Sequence, residues 1–184
     1  MRSETEAGSE REATLVRLIE QYKPALWRLV SSYEAEPSRR EDLFQEIALG
    51  LWQAIPRFRG DSSERTWLYR IAHNIAISAL DSRRRRERQE SPMSSSADYA
   101  SPTHAADEAV LEDEQRQALF DAIRRLPAVD RQLMVLYLEE LSYEEIEQIS
   151  GLSQSAIATR LSRGRVRLTE AVRGKERRHD SAAR

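Results

Sequence analysis

The sequence predicts an all-α protein of two small helical domains joined by a flexible linker, the second ending in a helix-turn-helix. Three observations carry this. Apolar residues recur at i, i+3, i+4 and i+7 through most of the 184 residues, and strand-type alternation is hard to find. Gly and Pro number six each, so few breaks interrupt that pattern. The one long stretch without periodicity, from Gln89 to about Ala106, contains SPMSSSADYASPTHAA. It is too long for an ordinary loop inside a compact domain, and residues 89–106 read as a linker between residues 12–88 and 107–175.

Taken in order, residues 1–11 are polar and acidic, lack a signal-peptide apolar run, and are expected to be disordered. From Glu12 to about Tyr33 a helical stripe carries Leu15, Leu18, Ile19, Tyr22, Leu26, Leu29, Val30 and Tyr33. Pro24 lies inside it and predicts a kink or a division, because proline removes a backbone donor and clashes with the preceding turn. Ser38 is expected to open a second helix, with Glu41 completing a capping box. Leu43, Phe44, Ile47, Leu51 and Ile55 form its buried stripe, and Pro56 ends it. Phe58 to Ser63 has turn chemistry. A third helix spans about Glu64 to Arg86, with Leu68, Ile71, Ala72, Ile75 and Ala79 inward. Beyond the linker, Asp107 to Leu126 forms a helix stopped by Pro127. Asp130 is expected to cap the next, which carries Leu133, Met134, Leu136 and Tyr137 inward.

Leu141 to Leu168 then reads as a helix-turn-helix. Ser142 and Glu145 form a capping box, Ile146 and Ile149 point inward, and Gly151 stops the short helix. Ser153 caps a second helix after a three-residue turn. Ile157, Leu161, Gly164 and Leu168 share one face. The opposite face holds Ser155, Thr159 and Ser162, flanked by Ala158 and Arg163, and such hydroxyls and guanidinium groups can read base edges in a major groove. From Ser153 to Arg178 eight Arg or Lys stand against two Glu, a local net of +6, whereas Glu139, Glu140, Glu144, Glu145 and Glu147 make the preceding segment acidic. That asymmetry suits a second helix facing phosphate, with its support turned away. Residues 176–184 read as a disordered basic tail.

Net charge is −2, so attraction to DNA must come from local patches. The absence of cysteine excludes disulfides and thiolate metal sites and points to a reducing compartment. No run of about 18 apolar residues could span a bilayer. The expectation is a cytoplasmic protein without membrane insertion. His73, His104 and His179 are dispersed without metal-ligand spacing, and neither a Gly-rich phosphate loop nor a nucleophile motif is present. Neither catalysis, nor a metal, nor a cofactor is expected.

Two surfaces of the first domain have a chemistry of their own. With Leu68, Ile71 and Ile75 inward, Trp67, Arg70, Asn74 and Ile77 project away, with His73 alongside. For Trp67 the plain alternative is a contact with the first helix. As a set these residues suit separated DNA strands, because aromatics stack on unpaired bases while Arg and Asn reach phosphates and base edges. The helix continues into Arg83-Arg84-Arg85-Arg86-Glu87-Arg88, which can track phosphate. The second helix instead mixes Asp42, Gln45, Glu46 and Gln53 with Leu49 and Trp52. That composition suits a protein partner, with apolar anchors and charges that steer.

Asp42-Leu43-Phe44-Gln45-Glu46, Leu51-Trp52, Phe58, Thr66-Trp67-Leu68-Tyr69-Arg70-Ile71-Ala72 and Asn74 resemble region 2 of bacterial sigma factors, specifically the extracytoplasmic-function (ECF) group of the sigma-70 family. Leu141-Ser142-Tyr143-Glu144-Glu145-Ile146, Ile157, Thr159-Arg160-Leu161 and Arg163-Gly164-Arg165 are similar to region 4. Two motifs in the right order, separated by a linker, cover roughly residues 12–88 and 108–172. The resemblance implies an RNA polymerase sigma factor. Asp42, Gln45, Glu46, Leu49 and Trp52 would bind the β′ clamp coiled coil of core polymerase, with the β flap as a further contact. Arg59, Ser62, Arg65, Trp67, Arg70, His73, Asn74, Arg83 and Arg84 would capture and open the −10 promoter element. Ser153, Ser155, Ala158, Thr159, Arg160, Ser162, Arg163, Arg165 and Arg167 would read the −35 element. The linker would thread polymerase toward the RNA exit path, and an anti-sigma factor would regulate the chain. Where the family carries a Val-(Lys/Arg)-Ser-Arg pattern, this chain has Ile157-Ala158-Thr159-Arg160, which implies a lost base or phosphate contact. The competing reading is a stand-alone helix-turn-helix regulator, which would need a dimerisation element and would bind DNA without polymerase.

Overall fold

A computed structural model describes residues 4–90 and 108–182, and the side chains of residues 8–89 and 115–171. Seven α-helices occupy the described residues: α1 (Glu4–Tyr33), α2 (Pro37–Ala54), α3 (Glu64–Glu90), α4 (Glu108–Arg124), α5 (Ala128–Leu138), α6 (Tyr143–Ser150) and α7 (Gln154–Ala182). A single 3-10 turn, Ile55–Arg57, follows α2. Most of the segment expected to be a linker, residues 91–106, lies outside the described residues, as does His104.

Several local expectations need correction. Residues 4–11 are not an unstructured lead but the first turns of α1, whose Glu, Ala and Arg are good helix formers. Arg11 anchors this part of α1 through Nε to the Trp52 carbonyl (2.6 Å). Pro24 neither ends nor divides α1, which the structure gives as one element from Glu4 to Tyr33. Ser38 does not cap α2. Glu36 is the N-cap without a side-chain bond, Pro37 takes the first turn with its φ already helical, and the Ser38 hydroxyl donates to Glu36 instead. Asp130 does not cap α5 either, since Pro127 holds that position. At the C-terminal end, α7 continues through residues 176–182, because Gly174 alone costs only about 1 kcal/mol and no proline stops the helix.

Leu26, Leu29, Val30, Ile47, Leu51, Leu68 and Ala72 pack α1, α2 and α3 together. Ile123, Leu133, Leu136, Ile146, Ile157 and Leu161 do the same for α4 to α7. Gly164 is buried where α7 crosses α5. A Cβ there would stand 2.7 Å from the Met134 methyl, so a larger residue would have to displace the end of that flexible side chain. The two sets of helices are not independent. They share one continuous apolar core, with α1 against α4 and α5, and α3 against α5 and α6.

Candidate nucleic-acid interface

The helix-turn-helix forms as its sequence signals require. The Ser142 side chain accepts from the Glu145 amide (3.2 Å), and the Glu145 carboxylate accepts from the Ser142 amide (2.8 Å), a reciprocal cap. Gly151 ends α6 at φ 71°, in the left-handed region that glycine tolerates. Ser153 then starts α7, its carbonyl accepting from Ile157 and its hydroxyl from Ala156. Ile157, Leu161, Gly164 and Leu168 are buried, so the opposite face is turned outward as expected.

Not every expected −35 residue is equally available on α7. Ser153, Ser155, Thr159, Ser162 and Arg163 are exposed, and Ala158 is half-buried at the edge. The Thr159 hydroxyl donates to the Ser155 carbonyl (2.9 Å), leaving its lone pairs and methyl outward. Arg160 turns back to Asp130 (2.8 Å), and Arg167 stands 3.6 Å from the same carboxylate. Arg165 lies over the Tyr137 ring at 5.2 Å. Among these arginines Arg163 is the one with no ion-pair or ring partner among the described residues. Val166, half exposed at the centre of the outward face, was missed because an apolar side chain carries no polar signal in a pattern search.

In the first unit, Ser63 caps α3 by accepting from the Thr66 amide (3.0 Å), and Gly60 turns the preceding loop at φ 78°. Arg59 is exposed and Ser62 half-buried on that loop. Trp67 is half-buried, but against Phe58 (ring centroids 4.8 Å) rather than as a freely projecting side chain. Asn74 is exposed and Arg70 half-buried beside it. His73 is misplaced by the sequence reading. It is fully buried, with Nδ1 3.0 Å from the Tyr33 hydroxyl, and it cannot touch DNA in this conformation. The cause is that α3 is covered on two sides. Ile71 and Ile75 pack toward α2, while Tyr69 and His73 face inward on the other side, so the buried arc exceeds a single stripe. Burial also drives the His73 pKa down to about 3, leaving a neutral ring. Arg65 donates to the Glu139 carbonyl, and Arg83 is bound by Glu34 (2.8 Å) and Glu87 (2.7 Å). Arg84 remains exposed.

The exposed face of α2 carries Asp42, Gln45, Glu46 and Leu49, with Leu49 57% exposed. Gln53 lies on this face, whereas Trp52 sits at its edge under the Arg11 guanidinium, 4.1 Å from the ring centroid. A groove of about 370 Å³ runs from Asp42 and Glu46 to Arg83 and Arg86 on α3. It is mixed in charge and open at the surface.

Residues 18–86 match the Sigma-70 region 2 model and residues 116–168 the Sigma-70 region 4 model. The chain is 32% identical over 157 residues to the ECF RNA polymerase sigma-E factor of Haemophilus influenzae, covering 80% of this chain and 82% of that one. It is 29% identical over 162 residues to the RNA polymerase sigma-H factor of Pseudomonas aeruginosa, covering 84% of each. Among solved structures it resembles the sigma factor RpoE bound to the anti-sigma factor NepR from Bartonella quintana. The TM-score is 0.65 at 25% identity, over 85% of this chain and 95% of that one. The fold is also that of CnrH in complex with the cytosolic domain of CnrY, at a TM-score of 0.63 and 20% identity, over 92% of this chain and 94% of that one. With both regions in order on one chain, and with relatives above 30% identity over most of their length, this protein belongs to the ECF group of the sigma-70 family.

Proposed function

We propose that the chain is a promoter-recognition subunit of RNA polymerase that performs no catalysis of its own. The α2 face of Asp42, Gln45, Glu46, Leu49 and Gln53 docks on the β′ clamp coiled coil, and the α4–α7 unit engages the β flap. Arg59, Trp67, Arg70 and Asn74 take the −10 strand, with Arg84 near its backbone. Ser155, Thr159, Ser162 and Arg163 read the −35 duplex. An anti-sigma factor restrains the chain, a reading supported by the likeness to the sigma factor RpoE in complex with the anti-sigma factor NepR. No helix among the described residues is long and apolar enough to cross a membrane.

The observation that carries this reading is the coexistence of a properly capped helix-turn-helix with a second surface that such a module does not need, the exposed acid-amide-leucine face of α2. A regulator acting alone has no use for it. Run-off transcription on a genomic promoter library, with purified core polymerase, provides the test. Specific transcripts should require both chain and core. Transcripts independent of the chain, or tight dimeric DNA binding without core, would instead mark a stand-alone regulator.

A further inference from the structure

Helix α5 carries a carboxylate near each end, and the two serve different neighbours. Glu139, at the C-terminal end, is buried and accepts from Arg28 of α1 at 2.6 and 2.7 Å. Asp130, in the first turn, faces α7 instead. Its Oδ1 accepts from Arg160 Nη1 at 2.8 Å, and its Oδ2 lies 3.6 Å from Arg167 Nη1. One carboxylate thus takes two guanidinium groups, one on each oxygen. The Asp130 side chain is only 14% exposed, whereas those of Arg160 and Arg167 are 44% and 56% exposed. Capping does not account for this aspartate, because Pro127 holds the N-cap position of α5.

The positions of the two captured arginines give the pairing its meaning. Arg160, Arg163 and Arg167 fall at i, i+3 and i+7, so they line one edge of α7 beside the outward face of Ser155, Thr159 and Ser162. A basic edge beside a groove-reading face is where a phosphate strand would run. Asp130 occupies two of the three guanidinium groups on that edge and leaves the middle one, Arg163, open. On the other side of α7, Arg165 lies over the Tyr137 ring of α5. Helix α5 therefore engages three of the four arginines between Arg160 and Arg167. Phosphate contacts supply most of the affinity for duplex of any sequence and carry no sequence information themselves. A genome presents a vast excess of such non-specific sites, so a helix with every arginine free would be held on the wrong ones. A guanidinium already neutralised by a carboxylate gains less from meeting phosphate, because its ion pair has to break first.

We propose that Asp130 is a specificity-determining residue of the helix-turn-helix: it holds Arg160 and Arg167 back from the phosphate backbone, keeps sequence-independent binding weak, and leaves selection to the outward face of α7. The selection half of this proposal rests on the function proposed above; the restraint of the two arginines does not. Fluorescence anisotropy of the full-length chain on a random-sequence duplex, titrated from about 50 to about 200 mM salt, tests it. In Asp130→Asn the slope of log affinity against log salt should steepen by about 1.8 units, two further phosphates at about 0.9 each, and low-salt affinity should rise about tenfold. Asp130→Ala should behave alike. Adding Arg160→Ala and Arg167→Ala to Asp130→Asn should return the slope to that of wild type. A purely structural role for Asp130 would lower affinity on its loss and would not steepen the slope; helical circular dichroism checks that each variant is folded. With core polymerase present, the preference for a duplex selected from a promoter library over the random duplex should fall about tenfold in Asp130→Asn, as the gain on non-specific DNA predicts. An unchanged slope in folded Asp130→Asn and Asp130→Ala overturns the proposal. So does a shallower slope, which would mean that the carboxylate presents the two arginines to phosphate. A steeper slope with undiminished preference overturns the selection half. If no duplex sequence is preferred even with core, the functional reading has failed, and the slopes still decide whether Asp130 restrains the arginines.

Discussion

His73 is a buried neutral imidazole, and its folded-state pKa of about 3 lies well below the usual value near 6.5. The unfolded chain therefore takes up the proton first as pH falls. The stability this site contributes is fully present above about pH 6.5 and is lost progressively toward pH 3, with a slope approaching about 1.4 kcal/mol per unit. Between pH 7 and pH 5, wild type should lose about 2 kcal/mol more stability to urea than His73→Asn, which keeps an acceptor for Tyr33 and has nothing to protonate. Equal losses would mean that the ring is protonated without penalty. Glu140 predicts a change of opposite sign. Its left-handed backbone costs about 1 kcal/mol, and Glu140→Gly should raise the melting temperature by relieving it, even after the entropic cost of glycine. An unchanged or lower value would show that the turn is not strained. His73 was illegible because the apolar spacing of α3 marks the side facing α2, while Tyr69 and His73 are covered by contacts that are not periodic in sequence. Glu139 was illegible for the same reason: a glutamate among five in an acidic segment reads as solvated surface.

At the scale of elements, local signals were the legible ones. Ser142, Glu145 and Gly151 act within a single turn, so the helix-turn-helix could be drawn before its neighbours were known. Ser142→Ala should lower stability by about 1 kcal/mol in thermal melts and weaken −35 binding in parallel; stability without a change would mean that tertiary contacts alone hold α6. The start of α2 was less legible because Pro37 competes with Ser38 and sets φ one residue earlier. On α7 the spacing identified the outward face but not which arginines are already engaged. Arg163→Ala should cost more −35 affinity than Arg160→Ala, since Asp130 holds Arg160 away from the face. If Arg163 touches only phosphate, its loss reduces the salt slope by about one unit; if it reads a base, discrimination at one position falls by roughly 1–3 kcal/mol. Equal costs in footprint titrations for Arg160→Ala and Arg163→Ala would put the Asp130 pairing outside the DNA-bound state. Trp67 stands between the two alternatives raised by the sequence. It is half-buried with its ring on Phe58, and part of the side chain remains open to stack on a base.

The whole molecule carries a net charge of −2, with basic clusters only on α7 and at the end of α3, so the isolated chain should hold duplex DNA weakly and with strong salt dependence. On the proposed function, specificity belongs to the assembly with core polymerase. That the two sets of helices share one core and pair through Glu139 could not be read from the chain, because the aperiodic sequence of residues 89–106 suggests independence, and no short-range pattern reports a contact 111 residues apart. Division of labour is what the assembled state should display. Trp67→Ala and Asn74→Ala should leave −35 capture intact and slow opening, and a template already unpaired across the start site should restore both. The measurement closest to the central claim is permanganate footprinting of unpaired thymines on a cognate promoter, with chain alone, core alone and both together. Reactive thymines in the −10 element should appear only when both are present and should fade with Asn74→Ala. Strand opening by core alone, or tight sequence-specific protection by the free chain with no opening on adding core, would contradict a role as a sigma factor.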